Sequence, residues 1–217
     1  MSAPVVIAID GTSASGKSTN AKRVAKALDY VYVDTGAMYR TLAWYCLKQG
    51  IDVHDAKKVT AVLKKWKTEL KCVDGAVRML ADGYYPEKEI RTAETSAAVP
   101  HVAAIPKVRE WMKVTQRDCA KFGNLVMEGR DIGSHIFPET EFKFYLDAHL
   151  EERSKRRAAD GVKEDLAARD QRDSQRSAAP LGVALGAMVI NNSGQTPEET
   201  SKIIINTVRK KLTAADA

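Results

Sequence analysis

The chain reads as blocks of apolar residues separated by amphipathic stretches, the pattern of strands alternating with helices. "VVIAI" at residues 5–9 is fully apolar and rich in β-branched residues, as a strand buried on both faces should be. "KSTNAKRVAKAL" follows at 17–28, with Val24, Ala25 and Leu28 at helical spacing and no Gly or Pro inside. "YVYVD" at 30–34 predicts a second strand, and "TGAMYRTLAWYCLKQ" a helix opened by Thr35-Gly36. Residues about 52–66 read as another amphipathic helix. The rhythm then changes. "ELKCVDGAVRMLADGYY" alternates apolar and polar positions around Asp74-Gly75, which predicts a β-hairpin.

A hairpin does not belong to a parallel β-α-β core, so residues about 52–92 read as an inserted excursion. Two helices follow, "TAETSAAVPHVAAI" and "PKVREWMKVTQRDCAKF", separated at Pro106. The core pattern resumes with the strands "NLVME" and "FKFYLD", the polar helices "LEERSKRRAAD" and "KEDLAARDQRDSQRS" flanking Gly161, and the strand "AMVINN". Thr196-Pro197-Glu198 supplies the cap and first turn of a last helix, and "TAADA" is expected to fray. Strands alternating with helices imply an α/β fold on a parallel sheet.

The 217 residues fit one such domain with a small insertion, and they suffice for a proper core. Cys46, Cys72 and Cys119 are odd in number and lack CxxC spacing, which makes a reducing cytoplasm the expected compartment. The start lacks the basic n-region of a signal peptide, no run reaches the length of a membrane span, and the four histidines form no HxxxH pair. A net charge of +6 suits anionic partners, either nucleic acid or small phosphorylated molecules. Six of the fourteen arginines lie between Arg153 and Arg176, whereas the lysines of "DAKKVTAVLKKWK" read as a solvated helix face.

The most specific chemistry is "GTSASGKST". Gly11, Thr12, Ser13, Ala14, Ser15, Gly16, Lys17, Ser18 and Thr19 form a phosphate-binding loop pattern in its required setting between a strand and a helix. Glycines that accept positive φ let backbone N–H groups turn toward an anion at a helix N-terminus. Lys17 would reach the outer phosphates and the Ser18 hydroxyl would ligate Mg²⁺.

Ligands of open parallel sheets bind beyond the carboxyl ends of the strands. Three such ends carry polar clusters: Asp10; Asp34-Thr35-Gly36 with Tyr39-Arg40 a turn later; and Glu128-Gly129-Arg130-Asp131. Together they predict a second anion site facing the first. Arg130 would fork onto a phosphate, and Asp131, which can only accept hydrogen bonds, would read an exocyclic amine. Two readings stand for the late arginines, Arg153, Arg156, Arg157, Arg169, Arg172 and Arg176. They are either a salt-bridged solvated face, or a mobile lid that closes guanidinium groups over a phosphate and excludes water.

The run "GTSASGKST", "DTGAMYR", "EIRT", "KVR", "EGRDIG" and "RDQRDSQRSAAPL", in that order over nearly the whole chain, resembles the bacterial type of cytidylate kinase. The resemblance implies a P-loop NTPase-type three-layer fold with a central parallel sheet, a helical lid and an inserted nucleoside-monophosphate-binding part. The expected boundaries are a core of about 1–51, 93–150 and 178–217, an insert of about 52–92 and a lid of about 151–177. It implies Mg-dependent transfer of the γ-phosphate of ATP to CMP or dCMP, with the loop holding ATP. Thr35 would lie in the acceptor site. Arg40 and Arg130 would hold the acceptor phosphate, and Arg109 and Asp131 would face cytosine. Arg169 and Asp173 would contact sugar hydroxyls, Arg176 would reach phosphate near the transferring group, and Arg153 and Arg157 would be lid arginines.

Two departures stand out. Pro100 lies where the family usually has a serine that bonds the base, and the stretch between Arg157 and Arg169 is short. The rivals are a UMP or broad pyrimidine kinase, a basic nucleic-acid-binding P-loop protein, and a non-catalytic nucleotide-binding regulator. A nucleic-acid binder fits poorly with arginines interleaved by aspartates. A monomer without membrane or nucleic-acid partners is the expectation.

Overall fold

In a computed structural model, residues 3–159, 161, 165–176 and 178–215 are described. Asp160, Val162, Lys163, Glu164 and Ser177 of the expected lid lie outside them. The chain divides into two compact units, residues 1–32 with 123–217, and residues 33–122.

The first unit holds strands β1 (Val6–Gly11), β5 (Leu125–Glu128), β6 (Phe142–Asp147) and β7 (Met188–Asn191). They lie in the order β5-β1-β6-β7, all parallel, with Ile7 beside both Val126 and Phe142 and Leu146 beside Ile190. Ile7, Ile9, Val126, Met127 and Leu146 are fully buried, as uniformly apolar strands require. Helix α1 (Lys17–Leu28) packs on β5 and on the last helix, α8 (Pro197–Ala215). Its Val24 and Ala25 are buried, so the helical spacing read from the sequence marks the true core face. Thr196 and Glu199 cap α8 reciprocally: the Thr196 N–H donates to Glu199 Oε2 at 2.8 Å, and the Glu199 N–H donates to Thr196 Oγ1 at 3.2 Å. Helices α6 (Leu150–Ala159) and α7 (Leu166–Ser174) carry the late arginines.

β2 (Val31–Asp34) leaves the first unit and enters the second. There α2 (Thr35–Lys48) packs on α4 (Ala93–Ala103), and α3 (Ala56–Lys65) on α5 (Pro106–Asp118). Strands β3 (Thr68–Val73) and β4 (Ala76–Ala81) pair antiparallel about Asp74-Gly75, both at positive φ, the turn chemistry that pattern demands. Pro106 opens α5, but Pro100 is carried inside α4. Among the described residues no helix is long and apolar enough to cross a membrane.

Candidate nucleotide site

The loop 11–16 turns directly from β1 into α1. Gly11 has φ 149°, and a Cβ there would lie 2.0 Å from the carbonyl oxygen of Leu146 on the adjacent strand. Gly16, at φ 84°, is the left-handed residue that starts α1. The loop's carbonyls are held by side chains. Lys17 Nζ donates to Thr12 O at 2.5 Å, Arg153 Nη1 to Ser13 O at 3.1 Å, and Asn192 Nδ2 to Ser15 O at 2.8 Å. Thr12 Oγ1 donates to Asp147 Oδ1 at 2.8 Å. Asp147 and Asn192 sit at the carboxyl ends of β6 and β7, so the loop's supports obey the strand-end rule as well.

Lys17 is buried. Burial first, and then the positive charge of Arg130, push its ammonium well below the ordinary lysine range; Glu128 acts the other way. Arg169 also acts on it, so Lys17, Arg130 and Arg169 share one field within this unit. Asp173 ties the next two arginines together. Its Oδ2 accepts from Arg130 Nε at 3.0 Å, and its Oδ1 accepts from Arg176 Nη2. One carboxylate thus holds two guanidinium groups in the unit that carries Lys17, an arrangement suited to an anion.

At the end of β5, Glu128 is buried and accepts from Ser18 Oγ at 2.9 Å and from the Tyr32 hydroxyl. Among the described residues no three His, Cys, Asp or Glu side chains cluster as a full metal cage. The Ser18 hydroxyl and Glu128 carboxylate are hard oxygens in contact. They fit Mg²⁺, which takes one or two protein oxygens and completes its shell with phosphate and water.

Asp10 does not face outward as the strand-end reading implied. Its carboxylate accepts the N–H groups of Ile132 and Gly133, each at 2.8 Å, and so pins the turn that follows Gly129-Arg130-Asp131. Burial pushes this carboxyl up to about 6, although both N–H bonds pull the other way. Asp131 is buried next to that turn.

Ser13 and Ser15 are buried on either side of Ala14, which takes φ 58°, and Ser18 and Thr19 are exposed on the first turn of α1. Arg153 is buried and donates to Ala148 O and Ser13 O, while Arg157 is half-buried on α6. Thr35, Arg40 and Arg109 belong to the second unit. There Asp34 accepts the Ala37 N–H at 2.7 Å, capping α2, and binds Arg40 Nη2 at 3.0 Å. Arg40 Nε is buried with no hydrogen-bond acceptor. Thr35 is buried at the first position of α2. Arg109 is buried on α5, its guanidinium 5.8 Å from the Tyr39 ring centroid. The sequence reading placed Glu128 in a strand-end cluster without giving it a role. It passed over Asp147 and Asn192 as site residues, although both stand at strand ends, the signal that could have found them; Asp170 carries no such signal.

The sequence family described as cytidylate kinase matches residues 7–210. A cytidylate kinase of Anoxybacillus flavithermus is 42% identical, over 98% of this chain and 99% of its own. One from Geobacillus kaustophilus is 40% identical, over 96% and 98%. One from Clostridioides difficile is 40% identical, over 94% and 98%.

Proposed function

This chain belongs to the cytidylate kinase family, and from that footing we propose that it transfers the γ-phosphate of ATP to CMP or dCMP, giving ADP and CDP or dCDP. The observation that carries the reading onto particular atoms is a loop that turns from β1 into α1 with its lysine buried, in the same unit where Asp173 holds Arg130 and Arg176.

The acceptor is already a phosphate, so the chemistry asks for alignment and charge stabilisation rather than for a general base. The loop from Gly11 to Thr19 holds the donor phosphates, and Lys17 reaches the outer ones. Ser18, with Glu128 behind it, would hold Mg²⁺, which when bound neutralises phosphate charge. Arg130 is assigned to the acceptor phosphate, and Arg176 to phosphate near the transferring group. Asp173 fixes both guanidinium groups beforehand and, with Arg169, is assigned to the acceptor's sugar hydroxyls. Arg153 and Arg157 act as lid arginines. In the second unit, Arg40 is assigned to the acceptor phosphate, Arg109 to the base, and Thr35 to the rim of that site. Asp131 accepts the cytosine amino group. Residues 52–92 are proposed as the monophosphate-binding insert and 151–177 as the lid.

Pro100 offers no side-chain donor and no N–H, which places the weight of cytosine recognition on Asp131 and Arg109. A panel of CMP, dCMP, UMP and AMP with ATP and Mg²⁺ tests the assignment. CMP and dCMP should be phosphorylated fastest, and equal or faster turnover of UMP would favour the broad pyrimidine kinase instead.

A further inference from the structure

We propose that Asp170, on α7, is a built-in competitor of the donor phosphate, a carboxylate seated on the phosphate loop that sets how tightly ATP binds. The proposal rests on the phosphate-loop reading above. Asp170 Oδ1 accepts the backbone N–H of Ser13 at 3.0 Å, a contact spanning 157 residues of sequence. Asp170 Oδ2 accepts from Arg153 Nη1. Arg153 is not a loose surface partner. It donates from Nε to Ala148 O at 2.9 Å and from Nη1 to Ser13 O at 3.1 Å. The two side chains retain only 9% and 15% of their exposure.

A loop amide and a guanidinium converging on one anion is the combination that recognises a phosphate oxygen. Here both converge on a carboxylate supplied by the chain itself. One N–H cannot serve two anions well, and a carboxylate repels a polyphosphate brought into the same desolvated loop. Donor binding therefore requires Asp170 to leave Ser13. Its departure releases an Arg153 donor, and it shifts the helix that also carries Arg169, whose charge already acts on Lys17. The ion pair is thus more than a brace between α6 and α7: it couples donor entry to the position of the arginine-bearing helix.

The test is ATP and CMP affinity by calorimetry on the full chain, for wild type, Asp170→Asn, Asp170→Ala and Lys17→Ala. Asp170→Asn keeps size and one acceptor oxygen but leaves Arg153 without its counter-charge, so thermal melting first checks that each variant is folded, and the alanine variant removes the group altogether. Losing the competitor should tighten ATP roughly 3- to 10-fold, the scale of one hydrogen bond exchanged at such a site. A merely bracing Asp170 predicts the opposite, weaker ATP binding or none gained, and that result overturns the proposal. The Lys17→Ala control separates the two layers. If that variant binds ATP like wild type, the phosphate-loop reading fails and takes this proposal with it. If it loses ATP while the Asp170 variants fail to tighten, only the Asp170 proposal fails.

Discussion

The Ser18 hydroxyl donates to Glu128 Oε2 at 2.9 Å, joining the first turn of α1 to the end of β5 across 110 residues of sequence. Glu128 also takes the Tyr32 hydroxyl, so both carboxylate oxygens are committed and the group is fixed in place. Such a carboxylate orients the serine and lends negative charge to a cation held there. Glu128→Gln keeps the shape and removes the charge. Turnover should fall by about 10–100-fold, as for other outer-shell partners of metal ligands, and the Mg²⁺ concentration for half-maximal rate should rise. An unchanged Mg²⁺ dependence would assign Glu128 to the fold alone.

Asp173 holds Arg130 and Arg176 through its two separate oxygens. Asp173→Asn should cost about 2–4 kcal/mol in transition-state stabilisation, because two guanidinium groups lose their common anchor in a pre-organised site. Steady-state kinetics would show it as a loss in kcat larger than any rise in KM for ATP. A variant altered only in KM would contradict the anchoring role.

Asp10 gives a pH signature. Its carboxyl sits at 3.8 in an unfolded chain and near 6 in the fold. Between these values the folded protein keeps a proton that the unfolded chain has released, so this group's contribution to stability is present below pH 3.8 and is lost as pH rises through about 6. The difference is on the order of 3 kcal/mol. Urea titrations from pH 4 to 7 should show a less negative stability-against-pH slope for Asp10→Asn than for wild type. Parallel curves would mean that the two N–H bonds hold the carboxyl near its ordinary value.

Base selectivity should follow Asp131. Asp131→Ala should lower the CMP-to-UMP ratio of kcat/KM by roughly tenfold or more, the worth of one buried polar contact at about 1–3 kcal/mol. Pro100→Ser, which restores a hydroxyl on α4, should raise that ratio. A ratio unmoved by the Asp131 change would sink the base-reading assignment.

Much of this was legible in the sequence because local chemistry decided it. The phosphate-loop helix runs from Lys17 to Leu28 as its spacing predicts, and Asp74-Gly75 turns the hairpin that its φ preferences require. Of the tail expected to fray, Thr213–Ala215 belong to α8, and residues 216–217 lie outside the described residues. What local pattern could not reveal was long-range pairing. The Ile132–Ile136 turn carries no helix signal of its own and is held by Asp10, more than a hundred residues earlier. Asp170 is one of the aspartates interleaved with the late arginines, and its bond to Ser13 exists only once α7 meets the loop. Asp147 and Asn192 looked like ordinary strand ends until the fold set them under Thr12 and Ser15.

The central claim is that Lys17 works as the phosphate hand of a CMP kinase. Release of ADP in a coupled assay with ATP, Mg²⁺ and CMP, run on wild type and on Lys17→Ala of equal thermal stability, measures it directly. The account predicts CMP-dependent turnover in wild type and a loss of about a hundredfold or more in the variant. CMP-independent ADP release in wild type, or near-normal turnover without Lys17, would contradict it.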